Sequence, residues 1–174
     1  LGGILYGEIA DTARVFALLK ENLLKGGKIV VTKGDHDNLL EPILKDYDFV
    51  EMVPYYETDG AFFFHGNERR FNELDARLGD DSVKIVVIGD VHPAITLKED
   101  AKSEKYKCFL YGKMRSKRNE LIIVPSFFPL VEGLDVSASK IELSAVADIG
   151  KFEVFAVADK VYDMGRVAEL GKRE

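Results

Sequence analysis

Three short apolar runs, each followed by a polar loop that contains a histidine, constrain the fold of this chain more than any other feature. The runs are Lys28 to Thr32, Ala61 to Phe64 and Val83 to Ile88, and they are rich in β-branched and aromatic residues. Runs of this kind are typical of buried strands. Apolar residues at helical spacing alternate with the runs, at 8–25, 39–46 and 68–78. The alternation predicts an α/β fold.

The pattern changes after Pro93, because helical spacing disappears there. We therefore expect no helix beyond Pro93, one α/β domain over residues 1–174, and a second sheet built largely from the C-terminal part. The stretch 125–135 is rich in apolar residues and reads as a loop. Further strands are predicted at 49–53, 106–113, 120–124, 139–146 and 152–158.

Composition excludes several classes of protein. Apolar residues make up 47% and charged residues 31% of the 174, which is typical of a globular domain, and no apolar run approaches the roughly 20 residues of a membrane span. The net charge of −6 argues against a dedicated nucleic-acid binder. A single cysteine, Cys108, excludes an intrachain disulfide and a cysteine-built zinc site. The start of the chain carries no secretory signal, so we expect a cytoplasmic location and no membrane partner.

All the histidines lie where ligands collect in α/β proteins. The chain has three, His36, His65 and His92, each one to four residues past an apolar run and beside a glycine and a carboxylate or amide. Ligands bind at the carboxyl ends of strands in such folds. One histidine in that position is an ordinary loop residue, since glycine and aspartate form turns, but here the position recurs. Mixed imidazole and carboxylate donors suit Mn, Fe, Zn or Ni better than calcium, so a divalent metal site is one interpretation.

The segments around the histidines resemble motifs of the calcineurin-like metallophosphoesterases, most closely those of an archaeal and bacterial branch of small phosphoesterases. Lys33 to Asp37 (KGDHD) is similar to the GNHD motif, and His65-Gly66 to the HGH-type segment. Ile88 to Ile95 (IGDVHPAI) is similar to the GHxHPAI segment. The resemblance continues through Cys108 to Leu110, Leu121 to Phe127, Pro129-Leu130, Gly133 to Val136, and Phe152 to Gly165.

The resemblance implies a four-layer α/β/β/α sandwich that holds one or two divalent metal ions at its strand ends. In that family a metal-activated water attacks phosphorus in a phosphate mono- or diester. Position by position, it implies Asp35, His65 and Asp90 as ligands of one metal and His92 as a ligand of the other. His36 would be the catalytic residue that supports the transition state. The expected substrate is a small phosphate ester, or a nucleotide or nucleic-acid phosphodiester.

The chain also departs from the family pattern. The DxH motif and its strand have no counterpart, and Gly3 stands where the second motif has a metal-bridging aspartate. Asp35 and Asp90 replace an asparagine and a histidine, and Asn67 stands where a second histidine is often found. Two explanations stay open: an N-terminal segment is missing, or the protein is a diverged relative that has lost one or both metals and acts as a binding or interaction module. A lost strand would leave an edge that a second subunit could cover, so a homo-oligomer is one expectation.

Other conspicuous residues have structural explanations. Glu68 to Arg70 reads as the solvated start of a helix, and Lys113 to Arg118 (KMRSKR) as an exposed hairpin tip. Phe62 to Phe64 and Tyr55-Tyr56 are expected in the core, and Cys108 is expected to be a buried, inert thiol.

Overall fold

The computed structural model describes residues 17, 21, 27–35, 37, 40–45, 47–99, 102–115, 117–127, 130–138, 141 and 143–170. The helix predicted at 8–25 therefore lies outside the described residues, apart from Ala17 and Glu21, and so does the predicted catalytic residue His36. The elements in chain order are β1 (Ile29–Thr32), α1 (Leu40–Leu44), β2 (Val50–Val53), β3 (Tyr55–Thr58), β4 (Ala61–Phe64), α2 (Glu68–Glu73), α3 (Asp75–Leu78), β5 (Ile85–Ile88), β6 (Pro93–Glu99), β7 (Lys102–Lys113), β8 (Glu120–Ile123), β9 (Leu134–Asp135), a 3-10 turn (Ile149–Lys151), β10 (Glu153–Val157), β11 (Val161–Arg166) and α4 (Val167–Leu170).

The strands of the described ranges form two sheets of very different size. β1 and β2 make a two-stranded parallel sheet. The other strands make a nine-stranded mixed sheet with the order β11-β10-β7-β8-β5-β4-β3; β6 also pairs with β7, and β9 pairs with β6. β4, β5 and β8 are parallel neighbours, while the remaining pairs along that order are antiparallel. The predicted α/β class is confirmed as a mixed α/β structure with few helices.

Several sequence predictions are wrong in detail. The C-terminal strands do not form a sheet of their own, because β8 pairs directly with β5. The strand expected at 139–146 is absent from its described residues, where Ile141 and Leu143 are buried without joining a ladder. Strands β3, β6 and β11 were not predicted, and a short helix, α4, does follow Pro93. The helix predicted at 68–78 is divided at Leu74 into α2 and α3.

Apolar burial is concentrated in the large sheet. Its core includes Phe62, Val86 and Leu121, which are fully buried, and Tyr55 stacks on Phe62 with ring centroids 5.0 Å apart. Cys108 is also fully buried, as expected, and its burial raises the pKa of the thiol to about 12. The small sheet has a separate core with buried residues Val31, Leu40 and Leu44.

Among the described residues, no helix combines the length and the apolar composition that a membrane span requires.

Candidate metal centre

The ends of β4 and β5 are joined through one backbone carbonyl. Phe64 and Ile88 are register partners in this parallel pair, so the residues that follow the two strands emerge side by side. The carbonyl oxygen of His65 accepts hydrogen bonds from the backbone N–H groups of Gly89, at 3.0 Å, and Asp90, at 2.9 Å. The two bonds hold the Asp90 backbone against His65, which places the two predicted metal ligands next to each other.

Three of the predicted ligands come together around the His65 imidazole. Its Nε2 atom lies 3.0 Å from Asp90 Oδ1 and 3.9 Å from Asp35 Oδ2. The His65 side chain is only 8% exposed, and Nε2 is buried without a hydrogen bond. The carboxylate oxygen nearest to Nε2 is therefore that of Asp90 at 3.0 Å, at ion-pair distance, although the contact does not form a hydrogen bond.

The loop after β1 packs directly on the same imidazole. A side chain at Gly34 would begin 3.1 Å from His65 Cε1 and Nδ1, so only glycine fits there without displacing the ring. The Gly34 N–H donates to Asp37 Oδ2 at 2.7 Å, and the Asp37 side chain is buried. This turn brings Asp35 from the small sheet to a ligand position beside the large one.

Asn67 was noted in the sequence only as a departure from the family motif, yet it has two roles in the structure. Its Oδ1 accepts from the Arg70 N–H at 2.9 Å and caps the N-terminus of α2. Its Nδ2 donates to both carboxylate oxygens of Asp35, at 2.7 Å each. The N-cap role has a sequence signal, an asparagine directly before a helix, but the contact with Asp35 spans 32 residues and has none.

His92 has an unusual backbone conformation. Its φ angle is +48°, in the left-handed region that residues other than glycine seldom adopt. Its Nδ1 atom is buried without a hydrogen bond, and burial lowers the pKa of the imidazole. The charge of Asp90 opposes this change, whereas the charges of His65 and, least of all, Lys107 lower the pKa further.

The spacing around His65 suits one divalent ion better than two. Two ligand atoms that are each about 2.1 Å from one ion stand about 3–4 Å apart at common coordination angles, and both distances from Nε2 lie in this range. However, within the described ranges no group of three or more His, Cys, Asp or Glu side chains is arranged to hold a metal ion. Both oxygens of Asp35 accept from the Asn67 amide, so Asp35 would have to give up that bond before it could serve as a donor to an ion.

A cavity of about 530 Å³ lies between β1 and the strands β3 to β5, and none of the predicted ligands lines it. It is lined by Val30 and Thr32 of β1, by Phe63 of β4 and by Val87 of β5. The lining is mainly apolar, so the cavity offers little to a phosphate group and much to a packed hydrocarbon side chain.

The remaining charged candidates lie apart from the centre. Arg69 and Arg70 both pair with Glu73 on the surface of α2, as a solvated helix start predicts. The KMRSKR segment connects β7 to β8, which confirms the hairpin tip. The segment lies before the first residue of β8, Glu120, which pairs with the start of β5. The candidate centre follows Ile88 at the opposite end of β5, so these cations do not line the centre. Phe127, in the loop after β8, is 75% exposed.

No protein-family model matches this chain, and no curated protein or solved structure matches it. The residues and their geometry are therefore the only basis for a functional proposal.

Proposed function

We propose that this protein is a metal-dependent phosphoesterase related to the calcineurin-like metallophosphoesterases. The observation that carries the proposal is the His65 imidazole, buried and without a hydrogen bond at Nε2, with Asp90 at 3.0 Å and Asp35 at 3.9 Å. These residues follow three different strands, which is the placement that the motif resemblance predicts.

Each residue has a defined part in the proposal. Asp35, His65 and Asp90 would hold one divalent ion, of Mn, Fe, Zn or Ni type, and His92 would bind or orient a second. A bound ion would supply an activated water and would neutralise charge on the phosphoryl oxygens. His65, fixed by the backbone bonds of its carbonyl oxygen, is the rigid member of the set. The role of His36 as supporter of the transition state depends on the resemblance alone.

A binding module that does not catalyse hydrolysis is the second candidate. One observation favours it: both oxygens of Asp35 are engaged by the Asn67 amide, and the described side chains form no complete three-ligand group. In this case the retained histidines would hold a single ion, or none, without turnover.

Metal binding and hydrolysis, measured on matched variants, separate the two candidates. The purified chain is stripped with a chelator, loaded with Mn²⁺, desalted and analysed for metal, and then assayed with an aryl phosphodiester. We expect about one Mn²⁺ per chain and measurable hydrolysis, with both reduced at least about tenfold in Asp90→Asn. Asp81→Asn, an exposed carboxylate before the opposite end of β5, should leave both unchanged.

The outcomes are distinct. Less than about 0.1 Mn²⁺ per chain, with no hydrolysis, contradicts the phosphoesterase proposal. Stoichiometric metal that depends on Asp90 but gives no hydrolysis favours the binding module. If hydrolysis occurs, His36→Ala should remove most of it without changing the metal content.

The four-layer sandwich that lacks an N-terminal strand belongs to the same proposal. Among the described strands β1 pairs with β2 alone. The apolar cavity beside β1 supports the idea that one more packed strand would complete this region. A cytoplasmic location, a homo-oligomer and a phosphate ester substrate stay predictions.

A further inference from the structure

Hydrogen bonds at both ends fix the orientation of the Asn67 side chain. Its Oδ1 accepts from the Arg70 N–H. The amide nitrogen Nδ2 could not take this role, because it is a donor and not an acceptor. Since Oδ1 is committed to the helix cap, Nδ2 must point the other way, toward Asp35. The orientation of the amide is thus set by the start of α2 and not by the carboxylate that it contacts.

The Asn67 amide occupies the front of the Asp35 carboxylate. Nδ2 is 2.7 Å from both oxygens, which places it close to the line that bisects the carboxylate. A cation bound through both oxygens would sit on the same line, so the amide and such a cation compete for the same lone pairs. With the amide in place, Asp35 Oδ2 remains 3.9 Å from His65 Nε2.

We propose that Asn67 is a latch that restrains the Asp35 carboxylate and lowers the affinity of the candidate centre for its cation. The inference rests on the proposed metal binding and adds the residue that regulates it. The Asp35 side chain is 57% exposed, so it can exchange the amide for a hydrated ion without opening the core. While no ion is bound, the latch keeps both oxygens of Asp35 bonded to a donor.

The test uses substitutions that keep the helix cap but remove the amide. Serine and aspartate are good N-cap residues, so Asn67→Ser and Asn67→Asp should both fold with α2 intact. Only the amide donor is lost in Asn67→Ser, whereas Asn67→Asp also adds a carboxylate. Asn72→Ser is the matched control, since Asn72 is an exposed residue of the same helix.

The measured quantity is the dissociation constant of Mn²⁺ alone, obtained by calorimetry on the full chain, with circular dichroism as the check on folding. Removing a hydrogen bond to a charged acceptor that competes with the ion should tighten Mn²⁺ binding at least about tenfold in Asn67→Ser. Asn67→Asp should bind more tightly still, and Asn72→Ser should match the wild type. Neither hydrolysis nor the proposed substrate enters this measurement.

Two results would overturn the latch, and they differ in meaning. If the wild type binds Mn²⁺ and Asn67→Ser binds it equally or more weakly, Asn67 supports the ligand Asp35 and does not restrain it, while the proposed function survives. If neither the wild type nor any variant binds Mn²⁺ at millimolar concentration, the metal centre itself is wrong and the latch fails with it. Should Asn67→Ser not fold, Asn67→Thr, which also keeps an N-cap oxygen and lacks the amide, decides in the same way.

Discussion

Both sheets contribute residues to the candidate centre, but they differ in how many buried apolar side chains pack around each contribution. His65 and Asp90 follow strands of the nine-stranded sheet, whose core contains Phe62, Val86 and Leu121, each fully buried. Asp35 follows β1 of the two-stranded sheet, whose buried core residues within the described ranges are Val31, Leu40 and Leu44. Since local stability follows local burial, we expect the Asp35 side of the centre to open more easily than the side that carries His65 and Asp90. The contacts of Gly34 and Asn67 across the gap therefore determine where Asp35 lies.

Thiol labelling should show the rigidity of the large sheet most clearly. Cys108 on β7 is fully buried, and burial raises the pKa of its thiol from 9.0 to about 12. At a given pH below 9 the folded protein should present about a thousandfold less thiolate than the unfolded chain. Because the folded pKa is the higher one, this group stabilises the fold fully below pH 9 and the contribution is lost as pH rises above 9. Labelling by a disulfide reagent at pH 8 should follow denaturant unfolding; fast labelling of native protein would contradict the rigid sheet.

Leucine truncation compares the two cores with the same chemistry. Leu121→Ala, in the large core at 0% exposure, should lower the free energy of unfolding by about 3–5 kcal/mol because it leaves a cavity. Leu44→Ala, in the small core at 7% exposure, should cost about 2 kcal/mol, since fewer neighbours lose contact. Urea unfolding followed by circular dichroism measures both. Equal losses would mean that the small sheet is as firmly packed as the large one.

Gly66 tests the connection between His65 and Asn67. Its φ angle is +101°, and a side chain would begin 2.4 Å from Ile88 Cβ, so Gly66→Ala should cost about 2–4 kcal/mol through strain and overpacking. Gly150→Ala is the control, because its nearest atoms lie 3.6 Å away or more, and it should change stability by less than about 1 kcal/mol. Thermal unfolding distinguishes the pair. A tolerated Gly66→Ala would show that this loop is free to shift.

Asp37 tests the stability of the turn that follows β1. Asp37→Ala leaves the Gly34 N–H without its 2.7 Å acceptor, which should cost about 1–2 kcal/mol. The loss should appear as faster amide hydrogen exchange in β1 and not in β5. Asp48→Ala, an exposed residue before β2, should stay within about 0.5 kcal/mol of the wild type. Faster exchange in both strands would show that the two sheets open together as one cooperative unit.

The strands with buried, β-branched sequences could be predicted well, whereas the edges of the sheet could not. β1, β4 and β5 fall within their predicted runs because parallel strands carry continuous apolar, β-branched or aromatic sequences, although in β4 and β5 only alternate side chains are fully buried. β6 and β11 carry mixed polar sequences such as PAITLKE, and their identity depends on β7 and β10 as partners. Ile141 and Leu143 show the converse, because burial alone does not produce a strand.

The part of the candidate centre that could be predicted is the part held by the carboxyl ends of neighbouring parallel strands. The sequence places His65 and Asp90 beside each other once β4 and β5 are parallel neighbours. It does not indicate that the Asn67 amide spans to Asp35 or that Lys107 contributes to the field at His92, because both contacts join segments far apart in the chain. Side-chain pairing across such distances follows from packing and leaves no periodic signal.

The backbone conformation at His92 lowers the stability of the fold. A residue with a side chain gives up about 1–2 kcal/mol to stand in the left-handed region, where glycine stands without penalty. The chain keeps an imidazole there, with a buried and unbonded Nδ1. Asp59 has the same φ angle in the turn between β3 and β4, so this backbone conformation alone does not identify a site. At His92 it coincides with a predicted metal ligand, and glycine there would remove both the strain and the imidazole.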